Sequence, residues 1–337
     1  MLRLSVLDQS TIVTGRSPAA SIRETLALAQ YCEALGYHRY WCAEHHNSDS
    51  IAGTAPEVLL AAIGAITTRI RIGSAGIMLP HYSSLKVAEQ FRVLEAIATG
   101  RVDMGLGRAP GSDGRTAYAL NPNADTAADH FPAQVRDLLA WISGEKLVEG
   151  HPYRDIVAQP LGEGLPETWI LGSSDYGAQV AAYFGLPYCF ASFISDGHGA
   201  EQALNVYRQT FRPSARHTEP HPAVCVWALA AETEEEAKYL FRSREVSRLL
   251  RDQGVFAPLL SPEEAAAREY SERDIIQIEK IRARTLHGTA RQVGDGLRQL
   301  AENLGVAEIA VLTTVHDPEK RRSSYALLAE EFGLEAC

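Results

Sequence analysis

The stretch Tyr37 to Asn47, YHRYWCAEHHN, sets a carboxylate and two imidazoles in a row, Glu44, His45 and His46, directly behind the apolar run Tyr40, Trp41, Cys42. Such a trio offers acid/base chemistry near neutral pH. The apolar run reads as a buried strand, and strand ends are where an α/β enzyme collects its reactive groups. Adjacent residues leaving a strand point to opposite sides, so one of the two histidines is expected to face a reacting centre. The same residues also describe a pair of structural histidines bonded to loop carbonyls, and this stretch alone does not choose between them.

Three further groups follow apolar runs in the same way. Ser74-Ala75-Gly76 brings three residues without bulk where Val or Ile is usual. Missing side chains there admit a flat ring or a second backbone, or simply relieve crowding inside a barrel. Gly107-Arg108-Ala109-Pro110-Gly111 sets one arginine among glycines, either a fork of donors for a phosphate or carboxylate or a solvated loop side chain. Gly172-Ser173-Ser174-Asp175 runs into a helix. Backbone N–H groups, hydroxyls and the helix dipole would there converge on an anion, although Ser and Asp are equally ordinary N-caps. A phosphate held jointly by Arg108 and the Gly172–Ser174 turn accounts for both groups together. The chain has no GxxxxGK[ST], and Gly105-Leu106-Gly107 lacks the third glycine of a dinucleotide fingerprint. It has no GxSxG elbow either, and His45 and His46, being adjacent, are badly spaced for one metal ion, so no metal is expected.

The elements that must carry these groups alternate. Strands are expected at Leu2–Leu7, Tyr37–Cys42, Ile70–Ile77, Arg101–Leu106, Glu167–Leu171, Pro187–Ala191, Ala223–Ala230 and Glu308–Leu312. Helices fill the gaps, the first opened by Ser17-Pro18 and closed at Gly36, another running from about Asp125 to Ser143, and a charged one from Thr233 to about Arg251. Residues Lys146 to Pro166 read as a surface excursion with room for a small hairpin. Eight strand–helix units predict an α/β fold, a (β/α)8 TIM barrel over residues 1–337 with an inserted excursion at about 254–286. A doubly wound sheet with a helical lobe is the alternative.

Of the 337 residues 46% are hydrophobic and 22% charged, ordinary for a soluble enzyme. With 32 basic against 42 acidic residues the formal charge is −10, which argues against nucleic acid or an anionic membrane as partner. Five cysteines without CxxC spacing read as reduced thiols. The opening MLRLSVLDQS enters a strand directly, without a signal-peptide pattern, and no run is apolar enough to span a bilayer. A cytoplasmic protein is expected.

Taken in order, GYHRYWCAEHHN, RIRIGSAGIMLPHYSSLKVAEQF, ATGRVDMGLGRAPG and WILGSSDYGAQVAAYFGLPYCFASF resemble the bacterial luciferase-like flavin monooxygenases. The set covers the first two thirds of the chain, and the likeness is to the homodimeric members more than to the light-emitting heterodimer. The resemblance implies a barrel holding FMN at its C-terminal mouth. It makes His45 the catalytic acid/base in the flavin–oxygen reaction, and Ala75-Gly76 a non-proline cis peptide beneath the isoalloxazine. Arg108, Gly172, Ser173 and Ser174 then hold the cofactor's phosphate. Luciferase carries a reactive Cys just before that arginine, and here the position is Gly107, so light emission is not implied.

The implied reaction uses reduced FMN (FMNH2) and O2 to oxygenate a small organic substrate. Because the chain has no dinucleotide fingerprint of its own, a separate NAD(P)H:flavin reductase is the expected electron source. An F420- or FMN-dependent dehydrogenase, and a flavin-binding barrel without chemistry, are the alternatives. Glu44, His46 and Asp8 stand as second-line site candidates, with Tyr82, Phe193 and Trp227 on the substrate side.

Overall fold

The computed structural model describes residues 2–162 and 164–335. Eight parallel strands form the barrel: β1 (Arg3–Asp8), β2 (Arg39–Cys42), β3 (Arg71–Ser74), β4 (Val102–Gly107), β5 (Glu167–Gly172), β6 (Tyr188–Ala191), β7 (Pro222–Ala231) and β8 (Glu308–Leu312). Each pairs with the next in the chain, and β8 closes the ring on β1 through Arg3↔Glu308 to Val6↔Val311. The expected (β/α)8 barrel is the observed fold, and the doubly wound sheet is excluded by that closure.

Local chemistry sets the boundaries. The helix Pro18–Ala34 begins with Pro in its first turn, and the Ser17 hydroxyl accepts from the Ala20 N–H. The chain then turns at Gly36, whose φ of 85° suits a residue without Cβ. Strand three is shorter than the sequence suggests. It stops at Ser74, the Ala75–Gly76 peptide bond is cis, and the chain resumes as the two-residue strand Ile77–Met78 paired with Leu106 and Gly107. The helix expected from about Asp125 to Ser143 is two pieces, Ala124–Asp129 and Phe131–Ser143, because Pro132 interrupts the backbone ladder, and the loop before it holds a further short helix, Gly114–Leu120. Among the described residues between Lys146 and Pro166 there is no strand, so the hairpin is absent; that segment is turns, with a cis Gln159–Pro160 bond. The region 254–286 holds the helices Pro262–Ala266 and Glu272–Arg284 and leads into an unforeseen strand, Leu286–Thr289, which extends the sheet along Ala228–Ala231 of β7. No helix among the described residues is long and apolar enough to cross a membrane.

Strand parity divides the side chains between two cores. Leu4, Val6, Tyr40, Ile72, Met104, Ile170, Tyr188 and Val224 pack outward against the helices. Leu7, Trp41, Trp169, Cys189, Cys225, Trp227 and Leu312 fill the barrel. Below this inner apolar layer sits a buried ionic one. Arg39 donates to Asp103 and Glu167, each at 2.8 Å, and to Glu308 at 2.9 Å. Arg71 donates to Asp103 as well, Trp41 Nε1 reaches Asp103 at 2.9 Å, and Ser5 reaches Glu308 at 2.6 Å.

Burial alone would raise the Glu167 carboxyl, but Arg39 and then Arg71 pull it down to about 2. Its contribution to stability is therefore complete above the ordinary carboxylate range and is lost as pH falls through about 2. Replacing Arg39 leaves Arg71 to face three carboxylates. Arg39→Met is expected to cost about 3–5 kcal/mol in a urea unfolding titration at pH 7. A loss under about 1 kcal/mol would show that the network is not what holds the strands.

Candidate active site

The C-terminal ends of β2 to β5 carry the groups singled out from the sequence, and the loops after them are pinned to one another. The His45 N–H donates to Gly53 O at 2.9 Å and the His46 N–H to Gly111 O at 3.1 Å, so the β2 loop is fixed to the β4 loop by backbone alone. The Asn47 amide adds a bond to Asp113 at 3.0 Å. His81 Nε2 bonds Pro110 O at 2.7 Å, tying in the loop after β3.

Within this frame the two histidines part company, as alternation requires. His46 Nε2 lies 2.8 Å from Glu44 Oε1, which also accepts the Tyr82 hydroxyl at 2.8 Å, while Glu44 Oε2 accepts the Met78 N–H at 3.1 Å. Glu44 is fully buried. Its two oxygens take three hydrogen-bond partners, so it orients its neighbours. His45 has the opposite character: its Nδ1 is buried and finds no hydrogen-bond partner among the described residues. Burial lowers the His45 pKa to about 4; Glu44 works against this, whereas His46 and Arg251 assist. At neutral pH the ring is an uncharged imidazole with one nitrogen uncommitted, the state from which it can accept a proton.

The small residues after β3 have a packing cause. A Cβ on Gly76 would lie 2.8 Å from Gly105 O and 3.0 Å from Leu171 Cδ1, so close approach of β4 and β5 already demands glycine. The Ser74 hydroxyl clasps β4, donating to Gly105 O at 2.8 Å and accepting from Gly105 N at 3.1 Å. Ala75 and Leu171 lie half-buried on the rim of the inner core, together with Phe193.

The structure also brings Arg108 to the Gly172–Ser174 turn. Arg108 is exposed, and its guanidinium stacks on the ring of Tyr176, 4.1 Å to the centroid, in the first turn of the helix Asp175–Phe184. Arg108 has no ion pair among the described residues. Ser174 stands at the N-cap of that helix with extended backbone and no side-chain capping bond. A fork of cationic donors and a helix start with uncapped N–H groups thus share one corner of the mouth, and that donor set fits a phosphate.

Asp8 is corrected. Even-numbered positions of β1 face outward, and Asp8 is held by Arg321 at 2.8 Å, Tyr40 at 2.6 Å and Thr25 at 2.7 Å, between barrel and helices. It braces the shell and does not reach the mouth. Trp227 is buried in the barrel with its indole N–H on Thr314 at 2.8 Å. Among the described residues no cluster of three or more His, Cys, Asp or Glu side chains is placed to hold a metal ion.

Residues 2–308 match the family model of the luciferase-like monooxygenases. The chain belongs to that family. This luciferase-like monooxygenase is 36% identical over 97% of its length to a protein of that name from Escherichia coli K12, of which 96% is covered. It is likewise 36% identical to the N-acetyl-S-alkylcysteine monooxygenase of Bacillus subtilis, covering 98% of both chains. The crystal structure of apo-MsnO8 superposes with a TM-score of 0.89 at 33% identity over all of both chains. Two more distant barrels share the fold. One is the oxygenating constituent of 3,6-diketocamphane monooxygenase from Pseudomonas putida in complex with FMN, with TM-score 0.71, 17% identity and 98% and 97% of the chains covered. The other is an F420-dependent secondary alcohol dehydrogenase, with TM-score 0.69, 13% identity and 99% of both chains covered.

Sequence reasoning missed the basic side of this monooxygenase's mouth. Arg244, Arg248 and Arg251 recur at four and three residues along the helix Glu234–Asp252, a spacing that puts them on one face and was visible in the charged run. Because Arg251 helps depress His45, Arg251→Gln is expected to raise the His45 pKa above about 4, and Glu44→Gln to lower it. Ring titrations by NMR on histidine-labelled protein check both signs. A wild-type His45 midpoint near 6.5 would contradict the buried, uncharged ring.

Proposed function

We propose that this chain is an FMN-dependent monooxygenase that uses reduced FMN and O2 to oxygenate a small organic substrate. The observation that carries the reading is the convergence of Arg108, stacked at 4.1 Å on Tyr176, with the uncapped start of the helix Asp175–Phe184. Arg108, Gly172, Ser173 and Ser174 would hold the phosphate, and Ala75 and Gly76 would meet the flat ring system. Bound there in its reduced form, the flavin supplies the two electrons that oxygen activation needs. His45, uncharged and with Nδ1 uncommitted, serves as the acid/base group. Glu44, Tyr82 and His46 hold the loop that presents it, and the loops after β2, β3 and β4, bonded to one another, shield the mouth from water.

The FMN-bound diketocamphane enzyme on the same barrel supports the cofactor choice, and the N-acetyl-S-alkylcysteine monooxygenase supports oxygenation of a small organic molecule. Electrons come from a separate NAD(P)H:flavin reductase in this reading. The chain works as a cytoplasmic homodimer; exposed Val58 and Ile66 on the helix Pro56–Ile66, with Val93 and Ile97 on its neighbour Ser84–Ile97, give apolar surface for that contact.

A titration with reduced FMN under nitrogen, followed by oxygenated buffer, tests the reading. Stoichiometric FMN binding and oxygen uptake coupled to substrate oxygenation are expected. Arg108→Ala should weaken FMN at least tenfold while leaving riboflavin, which lacks the phosphate, nearly unchanged. His45→Ala should retain the flavin and lose turnover by two orders of magnitude or more. Binding of F420 in place of FMN, with hydride transfer and no oxygen uptake, would overturn the assignment in favour of a dehydrogenase.

A further inference from the structure

The helix Glu234–Asp252 carries three arginines at the mouth, and they are unequally supplied with counter-charge. Arg248 takes both nearby acids: Asp196 lies 3.1 Å from its Nη2 and Asp252 2.9 Å from its Nε. Arg251 finds one long contact, to Phe193 O at 3.4 Å, and no carboxylate within 4 Å among the described residues. Arg244 has neither hydrogen bond nor ion pair among the described residues, and its guanidinium stands over the Trp227 ring, 5.5 Å to the centroid. Burial, reinforced by Arg251 and Arg248, pushes the Arg244 guanidinium down to about 9, with Asp196 and Asp252 too weak to offset it. Glu44 cannot serve as its acid, since both of its oxygens are already bonded. Arg244 is half-buried against Trp227 and carries no ion pair among the described residues, so its charge stays open to an arriving anion.

The position of this unmet charge indicates what the anion belongs to. Trp227 projects from β7, two strands around the barrel from β5, whose Gly172–Ser174 turn is reserved, with Arg108 beyond β4, for the cofactor's phosphate. Arg251 lies close enough to His45 for its charge to weigh on that ring. The basic face therefore lies within electrostatic reach of the acid/base group, with Trp227 under Arg244 and the half-buried Phe193 beside Arg248 and Arg251 as apolar walls. We propose that Arg244, seconded by Arg251, binds a carboxylate carried by the organic substrate, so that this monooxygenase acts on organic acids with an apolar body and not on neutral aldehydes or alkanes. The proposal deepens the reading of the mouth as an oxygenation site and rests on it.

Calorimetric titration of the full chain with hexanoate, hexanesulfonate and hexanamide tests it, on wild type, Arg244→Gln and Arg244→Lys. The wild type is expected to bind hexanoate at least tenfold more tightly than hexanamide. Arg244→Gln should erase that preference and Arg244→Lys keep part of it. Hexanesulfonate binding tighter than hexanoate would replace the carboxylate by a sulfonate and overturn the acid named here. Hexanoate bound no better than hexanamide, or neither bound, also overturns it, and this comparison needs no variant. FMN and riboflavin are titrated on the same three proteins. If Arg244→Gln weakens FMN relative to riboflavin, Arg244 belongs to the cofactor phosphate and the proposal falls. Because the hexanoate comparison is run without flavin, absence of FMN binding would remove the flavin reading alone.

Discussion

Arg39 is the constraint on which the rest of the barrel depends. Its guanidinium projects from β2 into the barrel base and reaches carboxylates on β4, β5 and β8 within 2.9 Å, spanning up to 269 residues of sequence. Arg71 from β3, Ser5 from β1 and Trp169 from β5 add further donors, and Glu308 Oε2 alone of the six carboxylate oxygens is buried without a hydrogen bond among the described residues. Two cations against three carboxylates need these extra donors, because a buried carboxylate left without hydrogen bonds is costly. The network also fixes stagger: Arg39 meets Asp103, Glu167 and Glu308 only if those strands hold their observed register. With its N-terminal end closed by charge, the barrel opens at the other end alone, and there the chemistry collects.

Three buried carboxylates near the barrel receive three different treatments, and the differences decide their roles. Asp103 is met by Arg39 and Arg71 inside the barrel. Asp8, one position out of phase with Ser5 and Leu7, is met by Arg321 outside it. Glu44 receives no arginine, only His46, Tyr82 and a backbone N–H. A carboxylate held by weaker donors leaves negative potential near His45, which favours protonation of that ring. Burial and Arg251 oppose it and prevail. The proton affinity of His45 is thus a balance between two elements far apart in the chain, the β2 loop and the helix Glu234–Asp252.

The strand–helix alternation was legible because parallel barrel strands are buried on both faces and read as apolar runs between capped helices. The division between His45 and His46 followed from alternation in principle, but which ring would be claimed by Glu44 depended on Tyr82 and Met78, residues of another loop. Arg108 and the Gly172–Ser174 turn were each ambiguous alone, and what joins them is Tyr176, an aromatic that had no reason to stand out. Asp8 misled because its place at a strand end said nothing of its parity. The strand Leu286–Thr289 was hidden by its own last residue: Thr289 and Gln292 form a capping box, so the local pattern announces the helix that follows and masks the strand that precedes it. The ionic base was not legible, since nothing local in Arg39 indicates partners on three other strands.

The helix Glu234–Asp252 shows why a charged run is a poor guide to exposure. Its Leu240, Phe241, Val246 and Leu249 are buried, and Phe241 packs within 5.2 Å of Trp227, so the helix is anchored to the inner core and not to the outer shell. Anchoring at that point brings its basic face inward as well. Three arginines on one face, Arg248 buried and Arg244 and Arg251 half-buried, repel one another. Two aspartates quench only the middle arginine, leaving the flanking pair to act on whatever enters. Local rules broken without internal compensation are expected where function and not stability sets the residue. The same helix contacts Phe193 beyond β6, Trp227 on β7 and, through its field, His45 beyond β2. Any shift of it over the mouth would change the pocket's charge and the imidazole's proton affinity together.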